Sequence, residues 1–260
     1  MNAVTLTEIE PRFAAWRWRA VLCEIQYEFI RLARNRLYAL SVLGFPLLFY
    51  AVFGLSQGKP AARYLIVGYS CMGLGSACLF GVGLSIAFER AHGWLELKWA
   101  SPMPRLAYLA AKLVASAVFA LLVLGLLLTV GHLGAGVTMS LLQIARLALI
   151  LLVGSVPFTA LGLVIALWVP PNAGAGLINL IYLPLCLVSG FWIPVAELPP
   201  WMQRIAPFLP TYHLAQLALA VFDFAPHAGA LTHWQVLAGF SALMFAVAWI
   251  TFLRSDTSTP

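Results

Sequence analysis

Charge is scarce in this chain. Of 260 residues only 9% are charged, 62% are hydrophobic, and the mean hydropathy is +0.93. Soluble domains carry about 25% charged and about 45–50% apolar residues. The deficit excludes an ordinary soluble enzyme, a disordered chain and a collagen-like fibre, and makes lipid the main solvent. Cysteine is sparse as well: Cys23, Cys71, Cys78 and Cys186, with no CxxC pair. On one helix Cys71 and Cys78 would stand roughly 10 Å apart, beyond disulfide reach, so small apolar packing residues are the expectation. No cleavable leader is expected, because Glu8 and Glu10 precede a first apolar run that starts only after Arg36.

Reactive constellations are missing too. There is no HExxH, GxSxG or clustered Cys/His set. There is no GxxxxGK[ST]; the only Gly-Lys, Gly58-Lys59, runs into Pro60. His227 and His233 read as a solvated loop pair. The mid-portions of the apolar runs carry no Asp, Glu, Lys, Arg or His, so a proton relay has no obvious parts. Lys112 and Arg146 lie near run ends, where they can snorkel to water.

What remains is a pattern of six apolar runs, at about 37–55, 65–88, 106–130, 147–169, 173–191 and 234–253. Each can cross about 30 Å of hydrocarbon as a helix, the form that satisfies its own backbone. The expected fold is an all-α membrane protein with six transmembrane helices. It divides into a cytoplasmic N-terminal segment, 1–36, and one membrane domain, 37–260.

The net charge of +6 comes from fifteen Lys and Arg against nine Asp and Glu. These cations flank apolar runs, which speaks for membrane orientation and against nucleic acid. Arg12, Arg17, Arg19, Arg31, Arg34, Arg36, Arg90, Lys98, Arg105, Lys112 and Arg254 fall on one side; Lys59, Arg63, Arg146 and Arg204 fall on the other. Eleven against four puts both termini in the cytoplasm.

Three connecting segments stand out. The N-terminal stretch is amphipathic: Trp18, Val21, Leu22, Ile25, Phe29 and Leu32 alternate with Arg17, Glu24, Glu28, Arg31 and Arg34 at helical spacing. It reads either as a surface anchor or as an anchor whose charged face docks a partner, and Glu28 and Arg31 can pair. Between runs five and six, Pro194, Pro199, Pro200, Pro207 and Pro210 are interleaved with Trp192, Trp201, Phe208 and Tyr212. Leu214–Phe224 is apolar but too short to span, so this segment is expected to form re-entrant or interfacial helices at the outer face. The stretch from Glu89 to Arg105 carries an apolar knob, Trp94 and Leu95, between Glu89 and Glu96. A charged, helix-capable loop of this kind suits a groove in a partner. Glycines 68, 73, 75, 81 and 83 in the second run read first as close helix packing, second as a pathway lining or dimer seam. Pro46, Pro157 and Pro184 are expected to kink their helices.

The order Glu89-Arg90-Ala91-His92-Gly93-Trp94-Leu95-Glu96, followed by Ser101-Pro102-Met103-Pro104-Arg105, resembles the permease subunits of ABC type-2 exporters. So do Ser189-Gly190-Phe191-Trp192-Ile193-Pro194, Leu198-Pro199-Pro200-Trp201 and Ala206-Pro207 with Leu209-Pro210-Thr211-Tyr212-His213. The resemblance runs from about Trp16 to the C-terminus. Trp94 departs from the branched or hydroxylated residue usual there, and no large domain follows the first run. The resemblance implies an inner-membrane exporter of a drug, lipid or lipid-linked glycan. In it two permease chains, expected as a homodimer, sit on two ATP-binding subunits that hold the ATP and Mg. The permease itself then carries no cofactor or catalytic residue. The ATPase contacts would fall on Glu24, Glu28, Arg31, Glu89, Arg90, Gly93, Trp94, Leu95 and Glu96. Gly190, Trp192, Pro194, Pro199, Trp201, Pro207, Pro210 and Tyr212 would build an outer re-entrant gate. A secondary carrier or a membrane-embedded enzyme is the alternative, and each would need ionisable groups at membrane depth.

Overall fold

The computed structural model describes residues 6–100 and 105–256. Among these, every regular element is helical: α1 (Leu6–Arg34), α2 (Arg36–Gly54), α3 (Lys59–Ala91), α4 (Trp94–Trp99), α5 (Arg105–Ala135), α6 (Leu141–Trp168), α7 (Pro171–Val188), α8 (Pro200–Ile205), α9 (Pro210–Ala220) and α10 (Ala230–Asp256). Helices α2, α3, α5, α6 and α10 are long and apolar enough to cross a membrane; α7 is apolar but shorter. The Ser101–Pro104 part of the motif stretch lies outside the described residues.

Local chemistry sets the boundaries. Asn35 caps α2 by accepting from the Tyr38 N–H, and Ser140 with Gln143 forms a capping box at the start of α6. Pro170 and Pro171 separate α6 from α7, since Pro171 fits the first helical position but cannot continue a helix before it. In α2 a wide π-turn over Leu40–Gly44 precedes Pro46, whose ring removes a backbone donor.

Helix α3 is the axle of the bundle. From Tyr64 to Gly83 it is buried throughout, and it packs against α5, α6 and α9. Its glycines serve close packing inside one chain. A Cβ on Gly68 would lie 1.7 Å from the Phe191 carbonyl oxygen, one on Gly75 2.0 Å from the Tyr182 hydroxyl, and Gly83 faces Gly162. That is the first of the two readings of these glycines.

The segment between α7 and α10 folds as a chain of short helices, and α9 is buried among α3, α6 and α10. A Cβ on Gly154, midway along α6, would lie 2.6 Å from Leu214 of α9 and 3.7 Å from Leu74 of α3. By contrast α2, α7 and α10 leave broad apolar faces open, with Leu37, Leu48, Leu180, Leu243 and Trp249 exposed.

Candidate functional site

The amphipathic α1 and the apolar α3 and α5 each contribute polar residues at helical spacing. These are Glu24, Glu28 and Arg31 on α1, Ser85 and Glu89 on α3, and Tyr108 and Lys112 on α5. Such spacing puts each set on one face of its helix. Just before Ser85, α3 contains a π-segment, Leu79–Leu84. Its extra residue turns the face beyond it by about 100° relative to an unbroken helix.

The three faces meet. Lys112 Nζ donates to Glu28 Oε1 at 2.9 Å, Glu89 Oε1 at 3.0 Å and Ser85 Oγ at 2.7 Å. Arg31 donates to Glu28 at 2.5 Å and Glu89 at 2.6 Å, and also to Ser85. The Tyr108 hydroxyl donates to Glu89 Oε2 at 2.6 Å. Beside this core, Lys98 of α4 binds Glu24 at 2.7 Å and lies 4.7 Å from the Tyr108 ring centroid. Three carboxylates, Glu24, Glu28 and Glu89, thus face three cations, Arg31, Lys98 and Lys112.

Glu28, Glu89 and Lys112 are 0–1% exposed. Charges so far from water persist only when paired and hydrogen-bonded. Burial lowers the affinity of the Arg31 guanidinium for its proton, but Glu28 and Glu89 outweigh it and hold the group above its ordinary value. The Glu28 Oε2 and Arg31 Nε atoms have no partner.

Several expectations change here. Glu89 and Glu28 point inward and offer nothing to a partner surface. Lys112 does not snorkel; it turns into the bundle. The Glu28 and Arg31 face of α1 packs on α3 and α5, with Leu32 buried and the Phe29 ring tilted against Phe119 at 5.4 Å, while Leu22, Tyr27 and Ile30 stay exposed. The reason is charge pairing: the carboxylates of α1 find their cations on the bundle. The expected Glu28–Arg31 pair is formed. Leu95 is buried and anchors α4, whereas Trp94, Glu96 and Leu97 are exposed, Leu97 by 72%. Gly93 opens α4 in a left-handed conformation, φ 71°, which glycine adopts without strain. Beside it Phe88 stacks on His92 and meets Trp94 edge-on. Arg90 donates to the Leu167 carbonyl at 2.6 Å and so ties α3 to the end of α6.

At the opposite end, Gly190 takes a positive φ of 81° and its carbonyl accepts from the Tyr64 hydroxyl. Ser189 and Thr211 share a hydrogen bond. Trp192 tilts against Tyr69, its buried Nε1 without a partner. Pro199 and Pro210 cap or open α8 and α9, and Pro194 caps the short turn Val195–Glu197. Tyr212 lies edge-on to His213 and His233. Trp201 and Phe208 are exposed, 57% and 83%. His227 pairs with Asp223 at 2.8 Å, and His233 meets His213 instead. His227 is thus solvated in the loop as expected, whereas His233 is not a loop residue: it lies in the first turn of α10, half-buried. No group of three or more metal-ligating side chains occurs among the described residues.

Sequence comparison bears on the same stretch. The profile of the family described as ABC-2 type transporter matches residues 20–222, from the first turns of the ion-paired part of α1 through α9. The Bacillus subtilis (strain 168) protein named "Putative transport permease YvfS" is 28% identical over 192 residues, 72% of this chain and 78% of that one. With a profile match over more than half its length, on a bundle of apolar helices built for a multi-pass membrane protein, the chain belongs to the ABC-2 type transporter family.

Proposed function

We propose that this chain is the membrane-spanning subunit of an ATP-driven exporter, energised by a separate ATP-binding subunit docked on α4. The observation that carries this reading is the division of labour within six residues. Leu95 is held by the bundle and Lys98 is joined to Glu24, while Trp94, Glu96 and Leu97 are offered outward. An aromatic and a leucine exposed on a short anchored helix are what a partner groove takes up.

In this mechanism the ATPase pushes on α4. The motion passes through Lys98, Glu24 and the buried Glu28–Arg31–Glu89–Lys112 cluster into α1, α3 and α5 together. Energy arrives from the partner, and no group on this chain performs chemistry. Six spans are counted by adding the 18-residue α7, with both termini and α4 on the cytoplasmic side of the inner membrane, as the basic residues favour. Two such chains, expected as a homodimer, sit on two ATPases. The α8–α9 segment forms the outer gate, and an apolar interior suits a hydrophobic or amphipathic substrate.

The test is co-purification with the cognate ATP-binding subunit. The paired substitution Trp94→Ala and Leu97→Ala removes the exposed side chains and leaves the anchors. It is expected to weaken association at least tenfold, about 1.4 kcal/mol or more, with the permease still folded. Unchanged association and ATPase stimulation would refute α4 as the dock.

A further inference from the structure

His213, 5% exposed in the first turn of α9, and His233, half-buried in the first turn of α10, bring their Nδ1 atoms to 2.7 Å. Among the described residues this is the one side-chain hydrogen bond joining these two helices. The tautomers follow from the surroundings. His213 Nε2 lies 2.9 Å from the Pro207 carbonyl, which only accepts, so Nε2 carries the proton. Neutral His213 then has a bare Nδ1, and His233 must donate its Nδ1–H to it.

We infer that the His213–His233 pair is a proton-binding clasp that holds α9 to α10 and lets go when both rings are charged. One added proton is tolerated, because His233 can carry it on Nε2 and still donate through Nδ1. A second must go to His213 Nδ1, and two N–H groups would then face each other at contact distance with like charge. Among the described residues no other ionised group neutralises them. Asp223 and His227 are exposed and bound to each other. Glu197, Arg204 and Arg146 are exposed and do not touch either ring. Arg63, from α3, is turned onto the Thr138 carbonyl. Tyr212 contributes only its ring edge. The dication therefore separates the rings, freeing α9, the buried helix of the proposed outer gate. Burial, and then the neighbouring charge on His213, hold the proton affinity of His233 below its ordinary value, so the release falls on the acid side of the range over which histidine changes charge, about pH 5 to pH 8.

The inference rests on that gate reading for its purpose, but its test does not need transport. Spin labels are placed on Phe208→Cys and Leu231→Cys, both exposed, in a Cys23→Ser background; the other three cysteines are buried. The full chain in nanodiscs is measured by pulsed electron resonance from about pH 8 to about pH 5. The expected result is a single short-distance population that gains a longer one on acidification, reversibly. In His233→Gln, whose amide can either donate to or accept from His213 Nδ1, the distance should stay short at every pH. A distance unaffected by pH in the parent protein, or the same acid-induced change in His233→Gln, would overturn the clasp.

Discussion

Lys112 has no route to water: at 1% exposure its ammonium is held by Glu28, Glu89 and Ser85, with the Tyr108 ring 5.0 Å away. Removing one member of a buried ion cluster leaves the others uncompensated, at a cost of about 3–5 kcal/mol. Lys112→Met should therefore lower the thermal stability of the purified chain by that order. Adding Glu28→Gln, which removes one stranded carboxylate, should recover part of the loss. A fully stable Lys112→Met would mean the cluster is not formed. The residues of this cluster were all visible in the sequence, and the Glu28–Arg31 spacing announced a pair. Their convergence was not visible. The π-segment at Leu79–Leu84 breaks the helical register ahead of Glu89, and nothing local says that a lysine near the end of a span will turn inward. The i, i+4 repeats Ser85/Glu89 and Tyr108/Lys112 in apolar helices were the available signal. His213 and His233, twenty residues apart, carried none.

At the scale of the helix, α3 shows why its glycines matter. Gly68 meets the Phe191 main-chain carbonyl, which cannot swing aside as a side chain can. Gly68→Ala must push the segment after α7 away from α3. Overpacking of this kind costs typically about 1–3 kcal/mol, and Gly68→Ala should reach the upper end, read as a lower midpoint of thermal unfolding. Gly125→Ala, with nothing within 4 Å, is the matched control and should be neutral. If both behave alike, the close approach of Phe191 is wrong. The long helices were legible because runs of some twenty apolar residues leave no other structure in lipid, and their ends agree with the expected runs to within several residues. The amphipathic α1 was legible as a helix but not in its orientation. Its charged face was expected to be presented to a partner, whereas Glu28 is buried together with Leu32 of the apolar face, and cations of the bundle pair with it. The proline-rich segment was legible as short helices, because Pro200 and Pro210 each open one.

For the whole molecule, one end gathers buried and paired charge with an exposed aromatic helix, and the other gathers prolines, aromatics and a histidine pair around a buried short helix. Between them the mid-portions of the long helices contain no acid or base to move an ion. On the proposed reading, work enters at the charged end and is delivered at the other. The most direct measurement is flux of a fluorescent amphipathic dye and a fluorescent phospholipid in proteoliposomes holding this chain, with and without its ATP-binding subunit. The account predicts transport of at least one of the two probes only with both subunits and ATP, and none by the chain alone under a proton or sodium gradient. Gradient-driven flux through the isolated chain would contradict it.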